Sequence, residues 1–86
     1  MKILLTGGSG LLGQELKKID SEIIAPLKKD MDVRSFGFII AQLEKHNPDV
    51  VIHCAAVKDN RLIEKDPRSA IEINIAGTAN IAIACL

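Results

Sequence analysis

A glycine-rich turn near the N-terminus is the feature that most restricts how this chain can fold. The apolar run "KILLT" (2–6) leads directly into "GGSG", and "LLGQELKKI" (11–19) follows with its leucines and isoleucine at helical spacing. A short apolar run that ends in glycine is typical of a buried strand, and apolar residues three and four apart are typical of a helix. The segment therefore predicts a strand, a tight turn and a helix in immediate succession.

The spacing of the glycines is compatible with a bare turn and with a cradle for phosphate. Gly7, Gly10 and Gly13 are three residues apart, and Gly8, Gly10 and Gly13 also match G-x-G-x-x-G. In such a motif the first glycine permits the sharp turn, Gly10 lets backbone approach a pyrophosphate, and Gly13 lets the helix pack closely on the strand. A strand before the motif and a helix after it favour the cradle.

The start of this helix supplies the donors that a phosphate needs. Its first N–H groups, near Leu11 and Leu12, have no partner within the helix, and the helix dipole adds a partial positive charge there. A Walker A loop is excluded because Gln14, and not a Lys-Ser/Thr pair, follows Gly13.

The remaining chain alternates between strand-like and helix-like segments. The predicted elements are strands at 22–27 and 50–54, a short extended piece at 30–33, a helix from the cap Ser35 to about His46, a loop with one helical turn at 58–66, and a final segment that starts at Asp66–Pro67. Pro26 should place its strand near an edge or end it there. The final segment reads as a helix from its length and alanine content, although isoleucines at alternate positions are also compatible with a strand. This order predicts an α/β fold with a parallel sheet.

The composition excludes several classes of function. Lys plus Arg (11) equals Asp plus Glu (11), which gives no electrostatic case for nucleic acid or an anionic membrane as partner. Two separated cysteines, Cys54 and Cys85, are typical of core thiols in a reducing cytosol, and we expect a cytoplasmic protein. No C-x-x-C or H-E-x-x-H motif predicts a metal site, and no apolar stretch is long enough to span a bilayer.

Four motifs in the same order resemble those of the extended short-chain dehydrogenases/reductases. They are "TGGSGLLG" (6–13), like the family's TGxxGxxG; "DMDV" (30–33), like its Asp-Val element; "PDVVIHCAA" (48–56), like its strand and alanine-rich turn; and "INIAGTANIAIAC" (73–85), like its Asn-x-x-Gly-Thr helix. The compact spacing is most similar to dTDP-4-dehydrorhamnose reductases and their sugar-nucleotide relatives, and residues 53–67 also resemble the dehydratases and epimerases. The resemblance implies a partial Rossmann-like parallel sheet, the N-terminal βαβαβα portion of an NAD(P)-binding domain. It also implies that strand 50–54 lies beside 2–6, across from 22–27.

The resemblance also implies roles for individual residues around a dinucleotide. The residues implied to contact it are Gly7, Ser9, Gly10, Leu11 and Leu12 at the pyrophosphate; Asp32 and Val33 at the adenine; Cys54, Ala55 and Ala56 along the ribose; and Lys58 toward the nicotinamide. Gly13 completes the cofactor-binding motif. Asn74 is implied to tie its helix to loop backbone. Turn capping is an equal alternative for Asp32, a solvated loop position is the favoured alternative for Lys58, and neither His46 nor His53 is assigned a catalytic role.

The segment after the second predicted strand bears on which dinucleotide is bound. An NAD-type fold places an acid about 20 residues past the first glycine, where this chain has "APLKK" (25–29). Lys28 and Lys29 could meet a 2′-phosphate instead, so NADP(H) is favoured over NAD(H), with solvated lysines as the alternative.

The family's catalytic pair is absent, because the chain contains no tyrosine for a Tyr-x-x-x-Lys motif. We therefore expect residues 1–86 to be a truncated NAD(P)-binding domain without a substrate lobe, with no catalytic residue and no nucleotide-sugar reduction on its own. The strand at 50–54 would keep an exposed apolar edge, which predicts dimerisation or marginal stability. The alternatives are an NAD-dependent epimerase or dehydratase fragment, a non-catalytic dinucleotide-binding module, and a flavodoxin-like or response-regulator-like domain, which leaves the glycines unexplained.

Overall fold

The computed structural model describes residues 1–57 and 60–86. Within them the elements are β1 (Ile3–Thr6), α1 (Leu11–Ile19), α2 (Phe36–His46), β2 (Val50–His53), α3 (Asn60–Lys65), α4 (Pro67–Ile71), a π-helical turn (Glu72–Ala76) and α5 (Gly77–Ala84). The parallel α/β architecture predicted from the sequence is confirmed.

Strand β1 lies in the middle of the pairing, with a partner on each side. On one side it is parallel to β2 over four residue pairs, from Ile3 with Val50 to Thr6 with His53. On the other side it makes one parallel bridge, Leu4 with Ile24. The predicted order, with 50–54 beside 2–6 and across from 22–27, is confirmed by these contacts.

The predicted strand at 22–27 is wrong, because only Ile24 pairs with β1. Its backbone donates to Ile3 O at 2.9 Å and accepts from Leu5 N at 2.7 Å. The N–H of Ile23 is used in a local turn, bonded to Asp20 O at 3.3 Å. Pro26 has no N–H to continue a ladder. The segment therefore passes β1 at one point and turns away.

The caps of α2 lie where the sequence places them. The Ser35 hydroxyl accepts from Phe38 N at 3.4 Å, and Asn47 ends the helix in the left-handed region with φ of 45°. The residues just before, predicted as a short extended piece at 30–33, form no strand. Asp30 and Val33 lie in turns, and the second turn is closed by Ser35 N on Asp32 O at 2.9 Å.

The C-terminal residues are helical, and the strand alternative for their isoleucines is wrong. The Asp66 carboxylate caps α4, accepting from Ser69 N at 3.2 Å and from Ser69 Oγ at 2.7 Å, and Pro67 occupies the first turn. The π-helical turn that separates α4 from α5 was not predicted, because isoleucine spacing cannot distinguish one helical pitch from another.

The buried core joins β1 to the elements on the Ile24 side. Its buried members are Leu4, Met31, Val33, Ile39 and Ile81. Leu5, on the opposite face of β1, is also fully buried, whereas Val50 at the start of β2 is 39% exposed. Among the described residues no strand pairs with the outer edge of β2. Dimerisation through that edge stays a prediction. No described helix is long and apolar enough to cross a membrane.

Candidate functional site

A groove of about 290 Å³ opens at the carboxyl ends of β1 and β2. Its floor is the glycine turn at residues 7–10. One wall is the β2 loop, which we define as residues 54–57, and the other is the bridge segment, residues 24–33. In open parallel α/β sheets this edge is where ligands bind.

The glycine turn brings backbone so close to its neighbours that a side chain would not fit. Gly7 has φ of +74°, and a Cβ there would lie 2.6 Å from the backbone N of Ala55. A Cβ on Gly13 would lie 2.8 Å from Gly8 Cα and would collide with the Gly7 carbonyl oxygen. Both positions require glycine, and the result is a cradle lined by backbone.

Helix α1 begins at this cradle with its first N–H groups unused. Gly10 is the N-cap and has no capping side chain, and no acidic residue lies in the first turn. The first intrahelical bond shown is Gln14 N on Gly10 O at 2.9 Å, and the Gln14 side chain binds Ser9 O at 2.7 Å. Leu11 and Leu12 line a second, adjoining cavity of about 170 Å³. The free N–H groups and the helix dipole suit an oxyanion.

The β2 loop is tied to β1 by one buried hydroxyl. Thr6, 4% exposed, accepts through Oγ1 from Cys54 N at 3.1 Å and from Ala55 N at 3.2 Å. The same oxygen lies 2.6 Å from His53 Nδ1. Since two N–H groups occupy the oxygen's lone pairs, the hydroxyl proton is directed at Nδ1.

His53 continues this chain of hydrogen bonds to the C-terminal helical run. Thr78 Oγ1 donates to Asn74 O at 2.9 Å, so it accepts from His53 Nε2, 3.0 Å away. His53 is therefore the neutral tautomer with its proton on Nε2. Burial lowers the pKa of His53, in agreement with that neutral form.

Asn74, in the π-helical turn, fixes the far end of the β2 loop. Its Oδ1 accepts from Val57 N at 2.7 Å, and its Nδ2 donates to Val57 O at 2.9 Å. The expected tie between this helix and loop backbone is confirmed. A π-helical turn is frequent at functional sites, and here it carries the amide that holds one wall of the groove.

The bridge segment ends in a charged turn. Asp32 accepts from Arg34 N at 3.0 Å, and its carboxylate faces the Arg34 guanidinium, with Oδ2 2.6 Å from Nη2. The Arg34 hydrogen bonds lower the pKa of Asp32 to about 2. The capping role for Asp32 is confirmed. Since Asp32 also lines the groove, its contact with an adenine stays a prediction.

The family model described as the RmlD substrate binding domain matches residues 1–86, the whole chain. The chain belongs to this family. It spans between 19% and 29% of the lengths of the first three curated relatives that it matches.

The sequences and solved structures that this chain resembles include enzymes named after nucleotide sugars. The GDP-6-deoxy-D-talose 4-dehydrogenase of Aggregatibacter actinomycetemcomitans is 33% identical over 94% of this chain and 29% of its own length. The crystal structure of a dTDP-4-dehydrorhamnose reductase ortholog from Clostridium acetobutylicum matches with a TM-score of 0.87 and 34% identity, over 99% of this chain and 32% of that one. The crystal structure of the dTDP-4-dehydrorhamnose reductase of Bacillus anthracis in complex with NADP matches with a TM-score of 0.85 and 31% identity. The match covers 98% of this chain and 32% of that one.

Most residues that sequence reasoning assigned to the site of this RmlD-family chain converge on the two cavities. Those lining the groove are Gly7, Ser9, Gly10, Lys28, Asp32, Val33, Cys54, Ala55 and Ala56. Those lining the adjoining cavity only are Leu11, Leu12 and Gly13. Lys29 is not among the lining residues, and Lys58 lies outside the described residues.

Sequence reasoning missed one charged residue of the groove, Lys17 of α1. A signal for it existed, since Lys17 is four residues after Gly13 and therefore on the same face of the helix. Close packing of Gly13 on the turn brings that face to the groove. Among the described residues, no group of His, Cys, Asp or Glu has the arrangement of a metal site.

Proposed function

We propose that this chain is the dinucleotide-binding part of an NADP(H)-dependent oxidoreductase that acts on a nucleotide sugar, by reduction of a 4-keto sugar as in the dTDP-4-dehydrorhamnose reductases. The observation that carries the proposal is the backbone cradle between β1 and α1, at the carboxyl ends of two parallel strands. The dinucleotide and the nucleotide sugar are the partners that this proposal implies.

The residues present fit a pyrophosphate. The space that Cβ atoms on Gly7 and Gly13 would fill is taken by close backbone contacts. The helix start at Gly10 has no capping side chain to compete for its N–H groups. The N–H groups of Leu11 and Leu12 would bind the phosphate oxygens, and the adenosine would lie along the bridge segment.

The charges of the bridge segment support NADP(H) over NAD(H). No carboxylate occurs in residues 25–29, where an NAD-type site places an acid for the 2′-hydroxyl. Lys28 lines the groove. The one acid of this wall that lines the groove, Asp32, already faces the guanidinium of Arg34. NADP is also the ligand of the Bacillus anthracis structure.

When bound, the nicotinamide would supply hydride to a carbonyl carbon. The residues of this chain would hold the dinucleotide, keep the β2 loop in place beside it and supply no proton donor of the Tyr-x-x-x-Lys type, because the sequence has no tyrosine. We therefore propose binding, and not turnover, as the activity of residues 1–86, which act as one NAD(P)-binding domain.

A fluorescence titration of the 86-residue chain with NADPH, and in parallel with NADH, tests the proposal. We expect saturable binding of both, with NADPH tighter, in a chain whose circular dichroism shows folded helix. The matched variant Gly37→Ala should leave binding unchanged, because a Cβ at this position would meet no atom within 4 Å beyond its own stretch of helix. A folded chain that binds neither nucleotide would overturn the proposal, and tighter binding of NADH would overturn the cofactor preference.

A further inference from the structure

Lys17 of α1 directs its ammonium to the floor of the groove. A Cβ built on Gly8 would lie 3.5 Å from Lys17 Nζ and 3.7 Å from its Cε, and 2.9 Å from the Cβ of Ala25. The ammonium therefore lies where the glycine turn meets the bridge segment. The neighbouring Lys18 lies outside the groove, because it projects from a different face of α1.

The charge of Lys17 is not neutralised by an ion pair within the described part of the chain. Lys18 pairs with Glu15 at 3.0 Å, and Arg34 pairs with Asp32 at 2.6 Å. Neither Lys17 nor Lys28 forms an ion pair within residues 1–57 and 60–86. Since the only groove-lining acid of that part is compensated by Arg34, the two lysines give the groove a positive surplus.

We infer that Lys17 is a specificity-determining residue, which binds the 2′-phosphate of NADP(H) together with Lys28. The inference rests on the proposed function and adds a contact from α1 to the one that Lys28 of the bridge segment would make. An ammonium on a flexible stem is a mobile point charge that suits a phosphate dianion. A 2′-hydroxyl carries no charge and gains little from it, so the lysine discriminates between the two dinucleotides.

The test compares Lys17→Gln with Lys18→Gln in the full 86-residue chain. Both changes remove one charge from the last turn of α1, and Lys18→Gln also removes the exposed ion pair with Glu15. The probes are NADPH and NADH, and the fragments adenosine 2′,5′-bisphosphate and AMP. Affinities are measured by titration calorimetry at low and at high salt.

We expect Lys17→Gln to weaken NADPH and the bisphosphate about tenfold, the scale of one charge-assisted hydrogen bond. NADH and AMP should change less than about twofold, and the salt dependence of NADPH binding should become shallower. Lys18→Gln should leave all four affinities near those of the unchanged chain. Lys17→Arg should restore most of the NADPH affinity.

The outcomes separate this inference from the proposed function. If the unchanged chain binds both dinucleotides and Lys17→Gln leaves their affinity ratio unchanged, the inference is wrong and the proposed function stands. Equal weakening of NADPH and NADH binding would also overturn it, since Lys17 would then maintain the shape of the groove and not bind the 2′-phosphate. If the folded chain binds neither dinucleotide, the proposed function fails and the inference fails with it.

Discussion

The two walls of the groove are held by different kinds of interaction. The β2 loop is fixed by neutral hydrogen bonds that start at the buried Thr6 and run through the half-buried His53 to Asn74 near the surface. The bridge segment touches β1 at the single bridge of Ile24 and carries the charges of Lys28 and the Asp32 turn near solvent. The β2 loop is therefore the wall with a fixed position, and the bridge segment is the wall that places charges beside the groove.

This difference predicts that the two walls respond differently to substitution. Hydrogen bonds removed from a buried network leave unsatisfied groups, which cost free energy of unfolding. Exposed ion pairs contribute little to stability because water and salt screen them, yet the same charges act strongly on a charged ligand. Changes in the β2 loop should therefore alter stability, and changes in the bridge segment should alter selectivity.

The largest effect is expected where the glycine turn meets the β2 loop. Gly7→Ala places a methyl group 2.6 Å from the Ala55 backbone in a left-handed conformation. Strain and overpacking should together lower the free energy of unfolding by about 3 kcal/mol. Gly37→Ala, in open space on α2, should raise it by about 0.5–1 kcal/mol. Urea unfolding measures both, and equal stabilities would contradict the close approach.

The next largest effect is expected at the hydroxyl that ties the β2 loop to β1. Thr6→Val keeps the shape of the side chain but removes the acceptor of Ala55 N and the donor to His53 Nδ1. The expected loss is about 1–2 kcal/mol in total, because Ala55 and His53 are half-buried and water can replace part of the lost bonding. Urea unfolding measures this loss. Thr6→Ser keeps the hydroxyl and should lose less. Unchanged amide exchange at Ala55 in Thr6→Val would argue against the network.

A smaller effect is expected from acid. Burial lowers the pKa of His53 in the folded chain, so the unfolded chain binds more protons as the pH falls below the ordinary value of about 6.5. Stability should be full above that pH and decrease from there down to the native pKa. The variant His53→Asn cannot titrate and should lose this decrease. Unfolding free energies between pH 8 and pH 5 measure it, and parallel curves would refute the assignment.

The smallest effect on stability is expected in the bridge segment. Arg34→Gln removes the group that lowers the pKa of Asp32 to about 2, and that pKa should rise toward its ordinary value. Near neutral pH the loss of stability should be below about 1 kcal/mol. The depressed pKa stabilises the fold above the ordinary value, and this contribution fades as the pH falls toward 2. Carboxyl NMR titration measures the shift, with Lys29→Gln as the control.

The parts of the molecule that the sequence predicted correctly depend on local chemistry. The glycine turn needs residues without a Cβ, and the caps at Ser35 and Asp66 need side-chain oxygens next to a free helix end. Each of these signals lies within a few residues of the turn or helix end that it causes. They can therefore be recognised in one sequence without knowledge of the tertiary structure.

The parts that were missed depend on packing between distant segments. Whether residues 22–27 form a strand depends on how many of them lie close enough to pair with β1. The sequence around Pro26 does not show how far this segment runs alongside β1. Lys17 reaches the groove because Gly13 lets α1 lie close to the turn. The network through Thr78 depends on the angle at which the C-terminal helical run crosses the sheet.

The π-helical turn has a consequence for the width of the groove. Within this turn, Asn74 binds the backbone of Val57 in one wall. After the turn, in α5, Asn80 donates to Val33 O of the other wall at 3.0 Å. The same helical run therefore binds both walls of the groove. The extra residue of the π-helical turn sets the angle about the helix axis between the side chains of Asn74 and Asn80. Deleting one residue there would turn α5 by about 100° relative to Asn74. The chain could then keep the hydrogen bonds of Asn74 to Val57 or that of Asn80 to Val33, but not both sets at once.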